Sequence, residues 1–174
     1  MYKAKELFAV MYELKNKLRE ADKNQLWEYY HPEDAAKMDE INFAQEKYKI
    51  KFCKEYIDFL LCSNGWRCFY QLVDLLGTKD FETEKMEHAK RLLSVEIQYN
   101  DALNRIKDYL FPIAASRTDK DLFVMVLKEG KEYGQIIWLA GGEIERFESF
   151  NTFFESMIGY NQEELEDIVG ENSK

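Results

Sequence analysis

The spacing of apolar residues changes character near residue 110, and that change limits the folds open to the chain. From Leu110 the sequence runs LFPIAASRTDKDLFVMVLKEGKEYGQIIWLAGGEIERFE, short apolar runs separated by polar turns. Such runs read as strands, which we place near 111–116, 121–127, 135–139 and 143–147, with RTDKD, KEGKEYG and AGGE as the turns. Connections this short join antiparallel neighbours, so the segment is a meander. Pro112 has no N–H to give a ladder and is expected at a strand start or an edge. Gly141-Gly142 suits a hairpin turn.

Helical spacing governs the residues before this point. Leu7, Val10, Met11, Leu14 and Leu18 form one apolar stripe, which predicts an N-terminal helix over 3–20. A second helix is expected from HPEDAAKMDEINFAQEKYKI. Pro32 suits its first turn, and Glu33 and Asp34 sit where the helix dipole favours negative charge. Met38, Ile41, Ala44 or Gln45, and Tyr48 continue its stripe. A third helix turns Tyr56, Phe59, Leu60 and Ser63 to one side, with Lys54 and Asp58 as an i, i+4 pair in solvent. Asn64-Gly65 is expected to end it, because glycine takes the left-handed C-terminal cap without steric cost. Residues 66–76 then resume as an extended apolar segment. The stretch 79–110 reads as one long helix, or two with a break near Ser94, too long for a connector and therefore an insertion.

After the strands, SFNTFFESMIGY predicts a helix with Phe150, Phe153, Phe154, Met157 and Ile158 inward. In NQEELEDIVG, Asn161 and Glu164 have the spacing of a capping box at the start of another helix. The expected fold is therefore α+β. One domain over 1–174 holds an antiparallel sheet with helices packed at its N-terminal and C-terminal ends.

Charge placement narrows function. Of 24 basic and 33 acidic residues, 1–56 hold 11 of each, so the remainder carries 13 − 22 = −9, the whole net charge. Residues 143–174 alone hold 2 basic and 9 acidic groups. Phosphates would be repelled by such a surface, which argues against nucleic acid, whereas a basic protein would be steered toward it. No run approaches the roughly 18 apolar residues of a membrane span. The N-terminus mixes charges throughout, unlike a signal peptide. Cys53, Cys62 and Cys68 form neither a C-x-x-C pair nor an even set, and they read as buried thiols in a reducing compartment. A cytoplasmic location is the expectation.

The usual chemical motifs are missing. His31 and His88 are the two histidines; His31 is expected exposed or capping at a helix start, and His88 could pair with Glu84 on a helix surface. Zinc-ligand spacings, a nucleophile elbow and a glycine-rich phosphate loop do not occur. Glu143 with Glu145, or Asp119 with Asp121, could be nominated as paired catalytic acids, but surface turns explain them equally well. Trp66, Phe69, Tyr70 and Trp138 read as core, with Trp66 or Tyr70 reaching the rim.

EINFAQEKYKIKFCKEYIDFLLCSNGW resembles the opening of the SUKH superfamily, the Smi–Knr type of domain. There, a helix bearing a Glu precedes an L-P-x-x-Y segment, a helix and an F-L-x-x-N-G turn. Glu46 matches the helix acid, residues 52–56 ending in Tyr56 match the second segment, and Phe59 leads to Asn64 and Gly65. Phe52 and Cys53 replace the usual Leu and Pro. The likeness continues at the I-P-I-A strand through Pro112 and at an S-F-x-x-F helix through Ser149, Phe150 and Phe153, covering about 38–160. The resemblance implies an α+β domain without catalysis or cofactor. Many bacterial members resemble immunity proteins that neutralise a toxin, often a nuclease; others are scaffolds. The matching residues transfer fold and no active site.

Composition and resemblance converge on a protein-binding domain, foremost an immunity protein with a basic toxin as partner. The expected contact surface is Asp119, Asp121, Glu143, Glu145 and Glu148, with Trp66 or Tyr70 as anchor. The alternatives are an adaptor for an endogenous protein and a carboxylate-based hydrolase.

Overall fold

A computed structural model describes residues 2–172. Six strands form one antiparallel sheet in sequential order: β1 (Trp66–Tyr70), β2 (Val73–Leu75), β3 (Leu110–Ser116), β4 (Leu122–Val126), β5 (Ile136–Leu139) and β6 (Glu143–Phe147). The helices are α1 (Tyr2–Ala21), α2 (Met38–Tyr48), α3 (Lys54–Leu60), α4 (Glu84–Tyr99), α5 (Asp101–Asn104) and α6 (Phe150–Asn172). The fold is α+β, with helices at both chain ends and α4–α5 as the helical insertion. The extended segment after Gly65 proves to be a hairpin, β1–β2, which enlarges the predicted meander from four strands to six.

Every residue of β3 and β4 is buried, so both faces of the sheet centre are covered. Alternation along β4 sends Phe123 toward Phe153 of α6, at 5.1 Å between rings, and Leu122 and Val124 to the other face, where α4 packs on β3 and β4. The α6 face is rich in aromatic rings: Tyr56 meets Phe52 at 5.1 Å and Phe150 at 5.2 Å, and Phe59 meets Phe150 at 5.3 Å. Edge and tilted ring geometries of this kind add to the burial of apolar area. The Tyr56 hydroxyl donates to the Leu76 carbonyl at 2.9 Å, so the deepest polar atom of the cluster is satisfied.

Pro112 is in the interior of a central strand, not at a strand start or an edge. It is tolerated because the β3–β4 register slips between Pro112 and Ala114, and a bulge removes the need for its missing N–H.

Tertiary contacts override local signals in several helices. Residues 32–37 are not the first turn of α2. The Glu33 N–H bonds Gly65 O, the Ala36 N–H bonds Leu60 O, and Asp34 O accepts from the Asn64 N–H. Those bonds keep the segment extended. The helix starts at Met38, where the Glu40 carboxylate accepts the Lys37 N–H at 2.7 Å. Met38 and Val10, expected inward, are 44% and 51% exposed.

Asn64-Gly65 does not cap α3, which ends at Leu60. It forms a clasp instead. Asn64 Oδ1 accepts the Thr78 N–H at 2.7 Å, and Gly65 has φ +105° against Leu75 O and Gly77 N.

The insertion breaks at Asn100 and not near Ser94, because Asn100 Oδ1 accepts the N–H groups of Ala102 and Leu103 and starts α5. Tyr99 is 81% exposed at that break. His88 turns from Glu84 to the Ser116 carbonyl, 3.0 Å away, while Glu84 pairs with Arg91.

The second C-terminal helix does not exist separately: α6 runs unbroken through Asn161. That side chain is fully buried. Its amide donates to Met157 O at 2.8 Å and to Phe69 O of β1 at 3.2 Å, and its carbonyl accepts from Lys15 Nζ at 3.2 Å. With these partners it has no role as a cap, and the helix continues. Its true N-cap is Ser149, whose hydroxyl accepts the Thr152 N–H at 3.2 Å while Thr152 Oγ1 accepts the Ser149 N–H at 3.0 Å.

Candidate protein-binding surface

The anticipated contact residues separate into distinct groups. Trp66 is 1% exposed under Phe8 and Tyr12 of α1, and its indole N–H donates to Tyr30 O at 3.0 Å. It is core and lies away from the surface. Glu148 directly follows β6, five residue steps of about 3.3 Å from Glu143, and is exposed. Glu143 is held by Arg146 through two hydrogen bonds of 3.0 and 2.8 Å. Asp119 is exposed in the β3–β4 turn, where its carboxylate accepts the Lys120 N–H.

Tyr70, Asp121 and Glu145 do converge. β-sheet register sets Phe123 beside Trp138 and Trp138 beside Glu145. The Trp138 ring stacks on Phe123 at 5.1 Å, meets Tyr160 of α6 edge-on at 5.7 Å and Tyr70 at 6.4 Å. Asp121 accepts the Trp138 indole N–H at 2.8 Å, and Glu145 accepts the Tyr160 hydroxyl at 2.9 Å. Each carboxylate thus fixes one aromatic ring. Burial, with the bond to Glu145, pushes the Tyr160 hydroxyl up to about 12, and burial raises that of Tyr70. Both stay protonated donors at neutral pH.

Tyr70 and Tyr160 also floor a groove of about 270 Å³. Its walls are Leu26 and Trp27 on one side and Glu163, Glu164, Asp167 and Glu171 of α6 on the other. Helix α6 carries six acidic residues and no Lys or Arg. Burial raises the Glu164 carboxyl, against the opposing pull of Lys15. Lys15 is behind this wall, 4% exposed, with its ammonium over the Tyr29 ring at 5.2 Å. Burial drives its amine down to about 8.

The groove residues on α6 were not individually nominated from sequence. The signal was the −7 balance of 143–174; the missing information was that α6 continues through Asn161, so that its acids follow the aromatic floor.

At the base of β1–β2, Arg117 reaches Glu28 at 2.7 Å and Cys68 Sγ at 2.8 Å, and Lys85 reaches Asp74 at 3.1 Å and Asp80 at 3.3 Å. These pairs tie the hairpin to its neighbours. Cys53 and Cys68 are buried and Cys62 half-buried, all as free thiols; burial raises Cys53 to about 11. A larger hollow of about 800 Å³ at the opposite end of the sheet is lined by both signs of charge, including Glu46, Lys49, Lys51, Asp108 and Glu129. Among the described residues, no three His, Cys, Asp or Glu side chains are grouped so as to hold a metal ion, and no helix is long and apolar enough to cross a membrane.

The chemistry available at the acidic groove is recognition: fixed aromatic rings, hydroxyl donors and a row of carboxylates. No curated protein matches the chain. Residues 35–156 match the SMI1 / KNR4 family (SUKH-1), and the chain belongs to that family.

Proposed function

We propose that this domain is an immunity protein, which neutralises a cognate basic toxin, such as a nuclease, by binding it at the groove between α6 and the β1–β2 turn. Membership in the SUKH-1 family suggests a non-catalytic, protein-binding role of the immunity type. The observation that carries the finer reading is the row of Glu163, Glu164, Asp167 and Glu171 beside the Tyr70–Tyr160 floor. A toxin that binds nucleic acid presents Lys and Arg to phosphates. Carboxylates aligned along a helix can occupy the same places, and aromatic anchors supply the desolvated centre of the contact.

The test is co-expression with the toxin domain encoded beside this gene. Wild type is expected to rescue growth and to bind that domain with salt-sensitive affinity. Glu163→Lys with Asp167→Lys is expected to weaken binding at least tenfold and to flatten its salt dependence. Unchanged affinity and salt slope in the double variant would remove the groove from the reading. A neighbouring gene without toxicity, together with capture of a cellular complex, would favour an adaptor.

A further inference from the structure

The two edges of the sheet are treated differently. β1 is covered: Phe69 O accepts from Asn161 of α6, Gly65 O, just before the strand, accepts from the Glu33 N–H and the Ser63 hydroxyl, and the Trp66 indole N–H donates to Tyr30 O. β6 pairs with β5 alone. Among the described residues, no other element makes a backbone hydrogen bond to 143–147. About half of a strand's backbone groups point away from a single neighbour and stay available for pairing. The β6 side chains are largely exposed, and Ile144 is 56% exposed on this edge. An apolar side chain on an unsealed edge is a hazard for a monomer and an asset for a docking strand.

We propose that β6 is a docking edge, which takes an extended, lysine- or arginine-rich segment of the partner as a seventh strand. This rests on the reading of the protein as a binder of a basic partner. Charge selects that occupant: Glu143 and Arg146 pair with each other, which leaves Glu145 and Glu148 as the excess charge along the edge. Opposite charges facing each other across strands stabilise a pair, and like charges oppose it. The side chain of Glu145 is shared with Tyr160, so a strand added here extends the contact from the groove around the aromatic cluster. Backbone bonds would supply affinity, and alternate basic side chains would supply choice.

The probe is a capped eight-residue peptide of alternating valine and lysine, added to the full chain and followed by amide hydrogen exchange. Those amides of 143–148 that exchange freely in the protein alone are expected to slow at least tenfold. A fully N-methylated peptide, which cannot complete the ladder, and a valine–glutamate peptide are both expected to give no slowing. The proposal fails if 143–148 are unaffected, if slowing is confined to 163–171, or if the N-methylated peptide acts equally. Slowing that grows with protein concentration without peptide also overturns it, since the edge then pairs with a second copy. Slowed β6 amides alongside unaltered toxin binding in the α6 double variant would keep the edge and discard the groove.

Discussion

Replacing Lys15 by methionine separates the energetics of the buried amine from the rest of the molecule. The side chain is 4% exposed, and its amine falls from the ordinary 10.5 to about 8 because burial disfavours the charged form. At roughly 1.36 kcal/mol per pH unit, that drop corresponds to destabilisation on the order of 3 kcal/mol at neutral pH. The unfolded chain binds the proton more tightly than the folded one, so stability rises with pH between about 8 and 10.5. Between pH 7 and 9 the recovered part is roughly 1 kcal/mol. Other groups work in the opposite direction. Cys53, raised to about 11, and the raised tyrosines lose stability as pH climbs past their unfolded values. They are present in both proteins and cancel in the difference.

The expectation for urea unfolding followed by tryptophan fluorescence is therefore specific. The stability of wild type relative to Lys15→Met should improve by roughly 1 kcal/mol from pH 7 to pH 9. The absolute effect at pH 7 is smaller than the burial penalty removed, because Asn161 Oδ1 loses its donor, at about 1–3 kcal/mol. Parallel pH profiles, or a difference of the opposite sign, would refute the assignment of the penalty to this amine.

Gly77→Ala should destabilise by more than about 3 kcal/mol or prevent folding, since its Cβ would come within 1.9 Å of the Asn64 carbonyl oxygen, a backbone atom in the clasp. Gly159→Ala, on the open side of α6 with nothing within 4 Å, should instead raise thermal stability by roughly 0.5–1 kcal/mol. Tyr56→Phe keeps the ring packing but leaves the Leu76 carbonyl without its donor, and should lower the unfolding free energy by about 1–2 kcal/mol in urea titration.

The strands β3 to β6 were readable because alternation and turn residues act over a few positions, where sequence and geometry coincide. Helix limits were not: the break at Asn100 is set by a local cap, but the other failures share one reason. Pro32, Asn64, Gly65 and Asn161 all carry strong local signals, but Asn64, Gly65, Asn161 and the residues that follow Pro32 are claimed by segments distant in sequence. At the candidate surface, sequence supplied Tyr70, Asp121 and Glu145 but also Trp66, which α1 covers through Phe8 and Tyr12. Where a helix from the opposite end of the chain settles cannot be seen in the periodicity of either segment. The acidity of the C-terminal region was visible; its alignment with Tyr160 depended on Asn161 being satisfied inside a continuous helix.

That continuity makes α6 a single rod with two duties. Its first half anchors Phe150, Phe153, Phe154 and Met157 beneath the sheet; the family match ends at residue 156, while the groove acids lie beyond it. Substitutions at the exposed positions past Met157 can therefore alter what the rod displays, while the buried Asn161 and Ile168 keep its second half moored. Gain or loss of one residue between the halves has a different effect, since it would turn the carboxylates by about 100° around the axis and swing them off the tyrosines. The acidic face can be revised letter by letter, but its phase relative to the sheet is locked by the count of residues along one helix.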